Sequence, residues 1–264
     1  MTATTDWNPA QYGKFADERA QPFHDLLALV DPRGVRDAVD LGCGTGELTA
    51  FAASRLGSAS MVGVDNSAAM LGKAAAHASD TVRFEHGDIG EWVEDATVDL
   101  VFANAALQWV PDHRRVLTRW TQALRPGGQL AVQVPANAHM PSHTVSAELA
   151  QREPFLSAFC DDGPPLDPVR EYVLEPEQYA TLLHDLGYVQ QHVRLQVYAH
   201  VLPSSRHVVE WVRGTSLTRF EKRLPPDLYA EFLRRYEENL IERIGEHTPY
   251  FFPFRRILLW GRLG

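Results

Sequence analysis

Apolar runs alternate with amphipathic stretches along the first half of the chain, and the alternation predicts a repeated strand–helix pattern. Strands are expected at Ala38–Leu41, Ser60–Val64 (ending in Asp65), Val82–His86, Val98–Ala103 and Gln129–Val134. Helices are expected over 48–56, over the alanine-rich 68–77 and over the amphipathic 113–124, the last stopped by Arg125-Pro126-Gly127-Gly128. Residues from about 9 to 30 read as one or two further helices, ending at Asp31-Pro32-Arg33-Gly34. The acidic run Glu91–Asp95 reads as a solvated helix face.

From Pro135 the rhythm changes. Residues 136–170 predict a helix and a loop lying over the sheet, and Glu177–Leu186 a helix closed by Gly187. Val189–Leu202 alternates as a long sixth strand, 205–217 and 226–244 are helical, and Ile257–Trp260 forms a seventh strand. Repeated βα units imply parallel strands with right-handed crossovers. The expectation is one α/β domain over 1–264, a doubly wound, mostly parallel seven-stranded sheet with helical cap insertions. Within it 1–34 is an N-terminal helical segment, 35–135 the ligand-binding core, and 136–264 the last strands plus a helical cap. The cap is placed to roof a pocket at the carboxyl ends of the strands, where open α/β sheets bind ligands.

Bulk properties narrow the partners. The 264 residues carry 25 Lys+Arg against 34 Asp+Glu, a net charge of −9, with no basic block. That balance argues against nucleic acid and anionic membrane surfaces. No apolar stretch approaches the length of a membrane span, and the first residues lack the basic start and apolar run of a secretory signal. The two cysteines, Cys43 and Cys160, lie far apart, and Cys43 reads as a small residue filling a loop. A cytoplasmic monomer is expected.

The chemistry concentrates at Val39-Asp-Leu-Gly-Cys-Gly-Thr-Gly46. A strand that turns sharply into a helix needs glycine where φ is positive or where a ligand approaches the main chain. The helix that follows directs its N-terminal N–H groups at the same gap. Asp65, Asp88 and Asn104 then close successive strands. An ionised Asp65 can accept from both hydroxyls of a ribose. Asp88 can accept from an exocyclic amino group of adenine or cap a following helix, and Met70 and Ile89 offer apolar faces for a purine. Asp40 either orients the glycine loop or touches the ligand. A dinucleotide fingerprint needs a third glycine at 47, where this chain has Glu47, a carboxylate poorly matched to a pyrophosphate.

These residues resemble the class I S-adenosylmethionine-dependent methyltransferases, from Val39–Gly46 through Gly63-Val-Asp-Asn-Ser67 and Gly87-Asp-Ile89 to Arg125-Pro-Gly-Gly128. The resemblance implies S-adenosyl-L-methionine as cofactor and S-adenosyl-L-homocysteine as product. Gly42 and Gly44 would flank its methionine part, Asp65 hold the ribose with Asn66 beside it, Asp88 and Ile89 hold the adenine, and Asn104 meet the amino group.

A narrower resemblance joins Asp6-Trp-Asn-Pro-x-x-Tyr12, Phe15-x-x-Glu-Arg19, Asn104-Ala-x-Leu-Gln-Trp-x-Pro-Asp112, Ala131-Val-Gln-Val-Pro135, His207-x-x-x-Glu-Trp-Val212 and Phe254-x-Arg256 to a branch of that family that esterifies a small polycarboxylic acid. A carboxylate nucleophile is ionised near neutral pH and needs positioning rather than a general base. No catalytic side chain and no metal ligand is therefore expected. Arginine pairs carboxylates bidentately, and Arg256 leads Arg19, Arg213 and Arg255 as the partner of the acid. Gln108 and Trp109 join it, with Trp7, Tyr12 and Trp211 as further aromatic walls. The alternatives are a methyltransferase for another small or carrier-bound acid, and a protein that binds the cofactor without transferring methyl.

Overall fold

The computed structural model describes residues 16–264. Trp7 and Tyr12 lie outside the described residues, and of Arg19 only the helical backbone is described.

Helix α1 (Ala16–Leu27) precedes β1 (Asp37–Leu41), α2 (Glu47–Leu56), β2 (Ser60–Asp65), α3 (Ala68–Ala74), β3 (Val82–His86), β4 (Val98–Asn104), α4 (His113–Gln122) and β5 (Leu124–Pro135). Then come α5 (Pro141–Ala150), α6 (Phe155–Ala158), α7 (Pro168–Tyr172), α8 (Pro176–Asp185), β6 (Tyr188–Leu202), α9 (His207–Arg213), α10 (Thr218–Glu221), α11 (Pro226–Ile244) and β7 (Tyr250–Leu263). The seven strands form one sheet in the order β3-β2-β1-β4-β5-β7-β6, with β1 to β5 parallel and β7 antiparallel to both neighbours.

Alternation along β4 shows how the sheet is covered. Leu100 and Phe102 pack with Phe23 and Leu26 of α1 and Ala52 and Leu56 of α2. Val101 and Ala103 turn to the other face, against Val116, Leu117 and Trp120 of α4 and Leu182 and Leu183 of α8. A strand buried on both faces is apolar throughout, which is why β4 is the most legible strand in the sequence. The cap has a core of its own, in which Phe155, Trp211, Phe220, Phe232 and Tyr236 pack on Phe252 and Phe254 at the outer end of β7.

Four expectations are corrected. The connection from Gly87 to Thr97 contains no helix; Asp88 accepts instead from the backbone of Gly90 at 2.9 Å, a turn rather than a helix cap. Arg125–Gly128 lies inside β5 as a bulge, because the register jumps from Val98↔Leu124 to Leu100↔Gln129. There Gly127 has φ 78°, and Arg125 bonds Asp37 and Asp99, each at 2.9 Å. The segment 136–170 holds three short helices rather than one. Finally, β7 starts at Tyr250, not Ile257, and pairs with β6 through Pro253. β5 ends at Pro135 opposite Arg256, so beyond that point β7 has one neighbour, and a strand with a free side accommodates proline.

Among the described residues, no helix is long and apolar enough to cross a membrane.

Candidate active site

The strand order reverses between β1 and β4, and a cavity of about 380 Å³ opens at their carboxyl ends. Its floor is the glycine elbow. Gly42, with φ 87°, donates to the Val64 carbonyl at 2.8 Å. A Cβ on Gly42 would stand 2.2 Å from that of Ala106, so a side chain would collide with the opposite wall. Gly46 turns the chain into α2 with φ 78° and offers no side-chain cap to the first amides of the helix. Those amides are left for solvent or a ligand.

Asp65 ties the elbow to β2. Its two carboxylate oxygens accept from the Gly44 amide at 2.9 Å and the Ser67 amide at 2.8 Å. Each oxygen keeps a second lone pair, so the group can lock the loop and still accept from hydroxyls in the cavity. Ser67 caps α3 by accepting from Met70 N. Met70, Ile89, Trp109 and Val110 supply apolar wall, while Asn66, Asp88 and Asn104 supply polar wall. The Trp120 indole donates to the Ile89 carbonyl at 3.0 Å, anchoring the loop behind the wall.

After Asn104 the chain takes Ala105 at φ 53°, a conformation costly for a residue with a Cβ. Two bonds hold it: the Ala105 amide donates to the Gln133 carbonyl at 2.9 Å, and its carbonyl accepts from Gln108 Nε2 at 2.6 Å. The next turn is pinned by buried His113, whose ring bonds the Leu107 carbonyl at 2.9 Å and the Tyr179 hydroxyl at 2.6 Å. Nε2 therefore donates and Nδ1 accepts. Burial lowers the His113 pKa to about 4 despite the backbone bonds that oppose it.

Of the residues named from sequence for the cofactor, Gly42, Gly44, Asp65, Asn66, Met70, Asp88, Ile89 and Asn104 all line this cavity. Asp40 does not. It is buried behind the elbow, where the Thr49 hydroxyl of α2 donates to it at 2.5 Å. Burial raises its pKa to about 7, partly offset by the Thr49 bond and reinforced by nearby Asp65. Burial also pushes the Cys43 thiol up, as expected of an inert loop filler.

The residues named for the acid divide. Trp109 lines the cavity, and Gln108 is buried behind it, bonded to the lining residue Ala105. Arg256 is buried and donates to Gln133 Oε1 at 3.0 Å, on the sheet face shared with Asn104. Trp211 is part of the cap core, 4.8 Å from the ring of His200 and within 5.6 Å of Phe252 and Phe254; it is not a wall of this cavity. Among the described residues, the cap contributes none of the lining of this cavity. It touches the site where α7 packs on the turn Leu107–Trp109. Sequence reasoning missed Thr45, Gly90, Val110 and Pro111 as walls, and gave Gln133 no role. A lone amide in the apolar run Leu130–Val134 was the available signal for the last.

A glycine floor that excludes side chains, a carboxylate braced at the end of β2, and an apolar wall of Met70, Ile89, Trp109 and Val110 fit S-adenosylmethionine. Together with the strand order they define a class I S-adenosylmethionine-dependent methyltransferase.

A family profile described as a methyltransferase domain matches residues 38–128. The trans-aconitate 2-methyltransferase of Deinococcus radiodurans is 44% identical over 254 residues, covering 96% of each chain. That of Variovorax paradoxus is 40% identical over 263 residues, 98% of this chain and 96% of its own. The YcgJ protein of a Bacillus has a similar fold, with a TM-score of 0.58 at 16% identity over 91% of this chain and 98% of its own. So has a Haemonchus contortus N-methyltransferase in complex with S-adenosylhomocysteine, with a TM-score of 0.56 at 18% identity over 91% of this chain and 52% of its own. The chain belongs to the trans-aconitate 2-methyltransferase family.

Proposed function

We propose that the protein transfers a methyl group from S-adenosylmethionine to one carboxylate of trans-aconitate, giving the monomethyl ester and S-adenosylhomocysteine. The observation that carries this reading is the cavity wall running from Gly42 and Asp65 to Asn104, continued across the sheet by the buried cation Arg256. The cofactor supplies an electrophilic methyl group on a sulfonium. The chain's part is to bind, to align and to exclude water. Asp65 and Asp88 accept from the nucleoside end, Met70 and Ile89 pack on its base, and the glycine floor lets the amino-acid end lie against the backbone. Asn104 and the braced Ala105 turn mark where the acceptor must approach.

The acceptor carboxylate is already charged, with an ordinary pKa near 4, so no proton has to be removed before attack. Alignment and partial desolvation of that charge are what Arg256, Trp109 and the turn provide. With an overall charge of −9, the protein meets a polyanion through a local arginine rather than a general field. We place it in the cytoplasm as a monomer, in keeping with the free thiols Cys43 and Cys160.

The test is a thermal-shift titration with S-adenosylmethionine, followed by S-adenosylhomocysteine release on a panel of citrate, isocitrate, cis-aconitate and trans-aconitate. Stabilisation by the cofactor and turnover fastest on trans-aconitate are expected. Cofactor binding with no turnover on any of the four acids would refute the proposal.

A further inference from the structure

We infer that Gln133 is a substrate-recognition residue, forming with Arg256 a two-point clamp for a carboxylate group of the acceptor. The inference rests on the proposed acid-methylating function and adds the residue that reads the acid.

Gln133 lies near the carboxyl end of β5 with no exposed surface. Cα register places it beside Asn104 on β4 and Leu258 on β7. Paired residues share a sheet face, and Arg256 lies two residues from Leu258, so Asn104, Gln133 and Arg256 project from the same side. Arg256 donates to Gln133 Oε1 at 3.0 Å. A guanidinium has no acceptor, so this bond sets which way the amide points. Gln133 Nε2 is then a buried donor without a hydrogen-bond partner.

Two more buried amide atoms nearby lack partners, Asn104 Oδ1 and Gln108 Oε1. They are acceptors. The polarity is sorted: acceptors at the end of β4 and on the turn after it, and donors on β5 and β7. Most buried polar groups in folded proteins are hydrogen-bonded, and a cluster of exceptions beside a cavity is where a water, an ion or a ligand supplies the missing partner. These two acceptors suit an ammonium. The Gln133 amide needs an oxygen acceptor, and a planar carboxylate can accept from it and from the neighbouring guanidinium together. Gln133 thus holds the arginine through its oxygen and the acid through its nitrogen.

The experiment compares wild type, Gln133→Met and Gln133→Glu for KM and kcat with trans-aconitate, for the Kd of S-adenosylmethionine and for Tm. Met keeps the length and removes both polar atoms. Glu keeps an acceptor for Arg256 but replaces the donor with a second anion. The inference expects Met to raise KM roughly ten- to hundredfold, the loss of one hydrogen bond to a charged group. Glu should raise it further by repelling the acid, and the cofactor Kd should stay within about twofold in both variants. A residue that merely braces Arg256 would give the opposite order, with Glu closer to wild type than Met. That order, an unchanged KM in Met, or parallel loss of cofactor affinity and Tm would overturn the inference. If Met does not fold, Glu alone still decides between a raised and an unchanged KM. A wild type that turns over none of the acids would fail the proposed function first, and with it the ligand assigned here.

Discussion

Replacing Asp40 by Asn should change how stability depends on pH, because this carboxyl is fully charged at neutral pH only in the unfolded chain. In the folded protein burial moves its pKa from 3.8 to about 7. Between those values the native state binds the extra proton, so stability falls as pH rises, and it is lowest above 7. At about 1.36 kcal/mol per pH unit, a pKa of about 7 corresponds to about 4 kcal/mol lost between pH 4 and pH 8. Buried His113 acts in the opposite sense. Its pKa falls from 6.5 to about 4, so the native state binds fewer protons and gains stability as pH rises from 4 to 6.5, by about 3 kcal/mol. The two nearly cancel below pH 6.5 and leave a net decline only near 7. In Asp40→Asn, whose amide can still accept from Thr49, the decline contributed by Asp40 is gone and the gain contributed by His113 remains. Urea unfolding of both proteins at intervals from pH 4 to 8 gives the difference directly. The variant should gain on wild type by about 4 kcal/mol across that range, and curves that run parallel would refute the reasoning.

Gly42→Ala places a Cβ 2.2 Å from Ala106 at φ 87°; calorimetry should show cofactor affinity falling at least tenfold, alongside a stability loss of about 1–3 kcal/mol. Trp211→Ala empties the centre of the cap's aromatic cluster and should cost about 3–5 kcal/mol in denaturant unfolding, with cofactor Kd unchanged because the cap lines none of that cavity among the described residues. Arg256→Ala should raise KM for the acid in steady-state kinetics while calorimetry finds the cofactor Kd nearly intact; equal loss of both would make Arg256 a structural residue. His113→Phe removes the donor to the Leu107 carbonyl and should lower kcat through the loosened Ala105–Trp109 turn, by about 2 kcal/mol of activation free energy or less.

The parts of this protein legible in its sequence are those governed by local rules. Apolar runs and alternating patterns marked all seven strands, and glycines at 42, 44 and 46 marked a turn that takes positive φ at each of them. Asp65, Asp88 and Asn104 were readable because a parallel sheet with regular crossovers delivers successive strand ends to one rim. What failed was local evidence with a non-local outcome. Asp40 sits inside the motif, yet its side chain turns inward to Thr49. Trp211 belongs to a family motif, yet packs into the cap. The Pro-Gly-Gly run that ends a helix in isolation became a bulge, since β4 was there to pair with both of its ends.

By itself, then, the sequence determined the cofactor-binding frame, since each of its elements follows from neighbours a few residues away. Only the tertiary structure decided which buried polar side chains meet beyond that frame. Asn104, Gln133 and Arg256 are separated by long stretches of chain, and strand register is what sets them on one face. Which buried amide atoms lack a partner depends on every group packed around them, and no linear pattern carries that information.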